Sequence, residues 1–192
     1  MLTNSDARAK LRSLLQAKSV FRGDFVLASG ARSTYYIDCR LTTLDPEGAW
    51  LVGQVMHSVI RAEASALDIQ IDAVGGLTMG ADPVALAVGM YSFSVKDSPS
   101  LRPFVVRKAP KAHGQSKLIE GGFRPGDLVV VVDDVVTRGE SLISAINAVV
   151  KEGGRVAFVA VLVDRQEGGR QKIEAMGYRV VCAFQRDDLL RE

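Results

Sequence analysis

The stretch from Val129 to Ser141 reads V-V-V-V-D-D-V-V-T-R-G-E-S. A run of valines leads into two adjacent carboxylates, Asp133 and Asp134, and a short segment with Thr137, Gly139 and Ser141 opens a helix. These residue types in this order can build a cup for a phosphorylated sugar. Gly139 lets the chain turn tightly, so that successive backbone N–H groups converge on a phosphate. The helix N-terminus adds partial positive charge. The hydroxyls of Thr137 and Ser141 add donors, while Asp133 and Asp134 can accept bonds from ribose hydroxyls or hold water around a divalent cation. A plain strand-to-helix turn would also leave solvated acids at its end. That bland reading suits a lone Asp-Asp pair better than the whole string. A G-x-x-x-x-G-K-[ST] nucleotide loop is absent.

Three more segments carry polar chemistry at the ends of apolar runs. Arg107, Lys108, Lys111 and His113 stand within seven residues and are followed by Gly114-Gln115-Ser116. A basic flap of this kind can close over a polyanionic leaving group, exclude water and reopen; a solvated surface loop is the ordinary alternative. Arg165 follows the apolar run 156–163, and an arginine fork is the natural bidentate partner of a carboxylate. The glycines of 75–83 permit backbone N–H groups to approach pyrophosphate oxygens, although that stretch holds no basic side chain.

The elements needed to position these groups are legible around them. Apolar runs over 71–74, 104–106, 128–132, 156–163 and 179–183 read as strands. Helical patterns over 83–88, 141–151 and 167–176 alternate with them. Continuous apolar strands separated by helices predict an α/β fold with a parallel central sheet covered on both faces. Ligands bind beyond the C-terminal strand ends of such sheets, which is where the polar segments lie. Upstream, 4–18 reads as a helix, 25–27 and 35–37 as short strands, and Asp45-Pro46 as N-cap and first turn of a helix running to about residue 62. Tyr35 and Tyr36 are neighbours on a strand and so point to opposite faces; at most one need shelter a planar ligand.

The chain has 192 residues, 47% hydrophobic and 24% charged, the composition of one ordinary globular domain rather than a disordered chain. A net charge of +2 is too small to predict nucleic-acid binding. No apolar run approaches the ~18 residues of a membrane span, and no signal peptide is visible. Cys39 and Cys182 lack disulfide-framework or metal spacing, which suggests a reducing, cytoplasmic setting. His57 reads as an ordinary helix residue, and Trp50, near a helix start, as packing between hood and core or at a subunit interface.

The Val129–Ser141 string resembles the phosphoribosyl-pyrophosphate signature of type I phosphoribosyltransferases. The other segments are similar to elements of the orotate phosphoribosyltransferase family: the loop R-K-x-x-K-x-H-G at 107–114, the hood F-x-L-x-S-G-x-x-S-x-Y-Y at 25–36, and D-R-x-E-G at 164–168. The resemblance implies the type I fold, with residues 1–45 forming part of a small hood on a single domain over 1–192. It implies phosphoribosyl-pyrophosphate contacts from Arg107, Lys108, Lys111 and His113 and along Asp133, Asp134, Val135, Val136, Thr137, Arg138, Gly139, Glu140 and Ser141. Asp133, Asp134, Lys111 and His113 would take part in catalysis, and Thr137, Arg165, Tyr35 and Tyr36 would contact orotate. Mg²⁺ would be held through substrate and water rather than by direct protein ligands. A homodimer with shared sites is implied, the flap reaching the neighbouring subunit. Some relatives carry a lysine at the position of Ala28 and another in the 75–83 stretch; this chain has neither. A purine-base phosphoribosyltransferase and a non-catalytic phosphoribosyl-pyrophosphate sensor are the competing readings.

Overall fold

The structure is a computed structural model and describes residues 2–26, 32–109 and 117–191. Valines that read as a continuous apolar run form its central strand. The sheet is built from β3 (Ala73–Leu77), β4 (Arg102–Val106), β5 (Ile119–Gly121), β6 (Leu128–Val136), β7 (Arg155–Asp164) and β8 (Val180–Gln185). Their order is β5-β4-β3-β6-β7-β8, all neighbours parallel except the antiparallel edge pair β4–β5. Side chains on β6 alternate between two cores. Val130 and Val132 pack beneath α1 (Asn4–Lys18), α3 (Pro46–Ala66) and α4 (Ala81–Ser94), while Val129 and Val131 pack beneath α5 (Glu140–Lys151) and α6 (Gly169–Ala175). Both faces are therefore covered, and the alternation of a half-exposed strand is absent for that reason.

Connections from β3 run toward one edge of the sheet and those from β6 toward the other. The crevice between their C-terminal ends is thus the topological switch point, where α/β sheets bind ligands.

The upstream residues form a separate antiparallel pair, β1 (Val20–Val26) and β2 (Arg32–Ile37), followed by a short α2 (Arg40–Thr43). β1 begins well before the expected 25–27 because its Arg22-Gly23-Asp24 segment is solvent-facing strand with a register irregularity, which looks like a loop in sequence. β3 spans 73–77 rather than 71–74, taking Gly75 and Gly76 into the ladder. The short strand β5 and helices α2 and α7 (Arg186–Leu190) carry too little periodicity to be read from sequence. A capping box between Gln185 and Asp188 starts α7. Arg12 Nε and Gln16 Nε2 donate to the carbonyls of Asp188 and Leu189 at 2.5 and 3.1 Å, tying α7 to α1. Asp45 caps α3 by accepting from the Gly48 N–H at 2.9 Å, and Pro46 occupies its first turn as expected.

His57 is more than a helix residue. Its Nε2 lies 2.6 Å from Asp97 Oδ2, which also accepts from Ser92 Oγ at 2.7 Å and from Arg61 Nη2 at 2.6 Å. Burial alone would raise the Asp97 pKa, but these bonds outweigh it and hold it at about 2. Trp50 packs its ring against Tyr91 at 5.7 Å beside this cluster. Because the folded pKa lies below the unfolded value of about 3.9, the cluster stabilises the fold above pH 4 and loses that contribution as pH falls toward 2. Asp97→Asn should cost about 1–3 kcal/mol at pH 7 and flatten the pH dependence between 4 and 2. Urea denaturation of both proteins across that range measures the difference.

Candidate active site

A cavity of about 410 Å³ opens at the switch point. Its floor comes from the C-terminal part of β6. Asp133 and Asp134 do not follow this strand, as the sequence suggested, but lie inside it, because β6 continues through Val136. Each is only 6% exposed. Both side chains converge on Gly80, where a Cβ would stand 2.5 Å from Asp133 Oδ1 and 2.6 Å from Asp134 Oδ1, so any side chain there would have to displace the carboxylates. Asp133 Oδ1 accepts from the Asp134 N–H at 3.0 Å. Burial, then the neighbouring Asp134 charge, pushes the Asp133 pKa well up. Burial also raises that of Asp134, opposed by its backbone bond from Val135, its bond with Asp133 and the charge of Arg40.

Beyond β6 the chain turns through Gly139, whose φ of +85° is costly for any other residue. The Gly169 N–H donates to the Thr137 carbonyl at 2.8 Å and fastens this loop to α6. A recess runs along the loop from Asp133 through Val135, Val136 and Thr137 to Gly139, Glu140 and Ser141. Val136 is buried in the core, so it enters by its backbone side. Thr137 and Ser141 line both the recess and the main cavity. Arg138 is exposed and lines neither.

The walls bring the remote segments together. Arg165, expected to clamp a carboxylate, lines the cavity with a side chain only 7% exposed. Its Nη2 lies 2.7 Å from Glu167 Oε1, and its buried Nε has no hydrogen-bond partner among the described residues. Tyr36 lines the cavity and Tyr35 does not, as opposite faces of a strand require. Tyr35 instead lies beneath Arg165, with the guanidinium carbon 5.5 Å from its ring centre. Lys108 lines the cavity, whereas Arg107 does not and sits 3.9 Å from Glu120. Lys111, His113 and Ala28 lie outside the described residues.

Sequence reasoning missed several wall residues. Asp38 and Arg40, just beyond β2, line the cavity as a two-pronged ion pair with bonds of 2.8 and 2.9 Å. Their spacing resembles any surface turn, and only the fold turns them inward. Cys39 lies between them, fully buried, with its thiol pKa pushed well up by burial and by the nearby carboxylates. Met79 and Gly80, from the glycine-containing 75–83 stretch that the sequence did single out, also line the cavity, after the cis peptide between Thr78 and Met79. Among the described residues no three His, Cys, Asp or Glu side chains converge as a metal site.

No protein-family model matches the chain. Individual relatives do. The orotate phosphoribosyltransferase of Aquifex aeolicus is 42% identical over 186 residues, covering 95% of this chain and 97% of that protein. That of Tropheryma whipplei is 44% identical over 184 residues, covering 95% and 82%. The chain belongs to the orotate phosphoribosyltransferase family. Its backbone is similar to the Mycobacterium tuberculosis orotate phosphoribosyltransferase crystallised with Fe(III) dicitrate, with a TM-score of 0.81, 39% identity and coverage of 96% of this chain and 99% of that one. A structure of the same mycobacterial enzyme with 5-phospho-α-D-ribosyl 1-diphosphate matches at a TM-score of 0.74 and 33% identity, covering 96% and 92%. Yeast adenine phosphoribosyltransferase shares the fold alone, at 0.61 and 17% identity. The type I phosphoribosyltransferase fold expected from the sequence is thus the one observed.

Two buried carboxyls with raised pKa values bind protons more readily folded than unfolded. They therefore weaken the fold as pH climbs from about 3.9 through their raised folded values. Asp133→Asn keeps the shape and the acceptor for the Asp134 N–H while removing the buried charge. It should raise the melting temperature of the ligand-free protein at pH 8, by about 2–4 °C for each kcal/mol relieved, and change it little at pH 4. A calorimetric series against pH reads both arms.

Proposed function

We propose that this chain transfers the phosphoribosyl group of 5-phosphoribosyl 1-diphosphate to orotate, forming orotidine 5′-monophosphate and diphosphate in pyrimidine (UMP) biosynthesis. The carrying observation is one cavity that joins a sugar-phosphate cup on β6 to a buried arginine. Arg165 is desolvated, and its Nε is unpartnered among the described residues. Such a group favours a planar ligand with a carboxylate. Purine bases carry no carboxylate, so the same arginine disfavours a purine-base enzyme. A sensor without catalysis has no use for a cavity that serves both reactants.

In this reading the 5-phosphate sits at the 137–141 loop, on backbone N–H groups and the hydroxyls of Thr137 and Ser141. Asp133 and Asp134 accept from the ribose hydroxyls. Arg165 and Thr137 hold orotate, with Tyr36 beside it. The bond between ribose C1 and the diphosphate oxygen breaks first, and the electron pair leaves with diphosphate. Carbocation character develops at C1, and the orotate nitrogen then bonds to C1 from the opposite face and releases its proton to solvent. Lys108 and the flap residues Arg107, Lys111 and His113 neutralise or protonate the departing group. Positioning and charge stabilisation account for the catalysis.

Mg²⁺ fits the donor set as a substrate-held ion: the hard oxygens of Asp133 and Asp134 face the cavity, and the cation keeps much of its water shell. When bound, it would spread the negative charge of the diphosphate.

An exposed apolar surface supports a homodimer. Leu86, Met90 and Phe93 form one exposed stripe along α4, Phe93 being 76% exposed, and Trp50, Leu41, Leu44 and Met79 are exposed nearby. A stripe of large exposed apolar side chains suits an interface, and a second copy seated there would lie beside the cavity mouth. No described helix is long and apolar enough to cross a membrane. Free thiols at Cys39 and Cys182 suit a reducing cytoplasm.

Orotate consumption with Mg²⁺, measured against adenine, guanine and xanthine, tests the reaction; turnover of a purine instead would refute it. Arg165→Ala should raise KM for orotate about 10- to 100-fold, with KM for phosphoribosyl pyrophosphate little changed. Tyr35→Leu should follow it more weakly, about 2- to 10-fold, and Tyr35→Phe should keep most of the wild-type value because the ring face under Arg165 remains. Sedimentation should find the wild type dimeric and Phe93→Glu monomeric with reduced turnover.

A further inference from the structure

We infer that Arg40 binds the diphosphate of phosphoribosyl pyrophosphate, with Asp38 as the residue that positions it. The inference rests on the reaction proposed above and adds a substrate contact to it.

Charge is the starting point. The cavity is lined by three carboxylates, those of Asp38, Asp133 and Asp134. Its described cations are Arg40, Lys108 and Arg165. Arg165 is buried against Glu167 and Tyr35 at the base end. The loop within 75–83 lines the cavity with Leu77, Thr78, Met79 and Gly80, none of them basic. A polyanion beside that loop therefore needs a cation from another element.

Arg40 is placed to supply it. It lines the cavity together with Met79 and Gly80, and it also lines the adjoining shelf that contains Met79. It lies close enough to Asp134 for each charge to shift the other's titration. Asp38 grips one edge of the guanidinium, through Nε at 2.8 Å and Nη2 at 2.9 Å, and accepts from the Arg40 N–H at 3.1 Å. The Nη1 end has no partner among the described residues, and 46% of the side chain is exposed. The arrangement is a fork fixed on one edge, with its remaining N–H groups open to solvent at the cavity wall. That geometry suits a second, phosphate-type anion. A half-exposed, solvated cation also lets diphosphate leave, as turnover requires.

The test is calorimetric titration of inorganic pyrophosphate, with Mg²⁺, into wild type, Arg40→Ala, Arg40→Lys and Asp38→Asn, beside steady-state kinetics. Arg40→Ala should weaken pyrophosphate binding and raise KM for phosphoribosyl pyrophosphate, each about 10- to 100-fold, leaving KM for orotate within about twofold. Arg40→Lys should restore part of the loss, since charge returns without the fork. Asp38→Asn should lose less than Arg40→Ala. Wild-type pyrophosphate affinity in Arg40→Ala would overturn the inference, as would an equal rise in both KM values. Arg40-dependent pyrophosphate binding by a wild type that consumes no orotate would support the inference and refute the reaction. No pyrophosphate binding by the wild type would refute the inference whatever the turnover.

Discussion

Two adjacent carboxylates carried on a buried strand set the terms for the rest of this structure. Asp133 and Asp134 are almost fully enclosed, and burying such charges is costly unless each is paired or hydrogen-bonded. Their surroundings are arranged around that cost. Gly80 gives the carboxylates room that a side chain would take from them where they now stand. Arg40 stands near enough to favour the ionised Asp134. Burial still raises both carboxyl pKa values, so the acidic floor weakens the fold once it ionises.

The cations are distributed by solvation. Arg165 is withdrawn from water and held between the Tyr35 ring and Glu167. A fixed, desolvated guanidinium discriminates strongly, because leaving its donors unmatched is expensive. Lys108 and Arg40 are exposed. Exposed cations bind anions less tightly and release them faster, which suits the departure of diphosphate in the proposed reaction. One cavity thus combines a buried guanidinium with solvated cations.

Hood and sheet act together through small contacts. β2 ends by delivering Tyr36, Asp38 and Arg40 to the cavity wall. The same segment is backed by α1, which α7 ties down through Arg12 and Gln16. The exposed stripe on α4 begins in the helix that follows the Met79–Gly80 turn. Gly80, in the cavity wall, is thus the N-cap of the helix that carries the apolar stripe.

By itself the sequence determined the chemistry that is local along the chain. The V-V-V-V-D-D string, the 137–141 turn, the Asp45-Pro46 cap and the alternation of apolar runs with helices are all decided by neighbouring residues, and each appears in the structure. It also placed Arg165 after a strand, where the switch-point rule makes such residues candidates. What only the tertiary structure decided depends on residues far apart in sequence. Opposite strand faces sent Tyr36 to the cavity and Tyr35 beneath Arg165. The turn after β2 brought Asp38 and Arg40 against a floor nearly a hundred positions downstream, and the ladder took Gly75 and Gly76 into β3. Local pattern records which face of a strand is apolar; only the packing of one element on another decides which polar side chains meet, because that meeting is a property of three-dimensional distance.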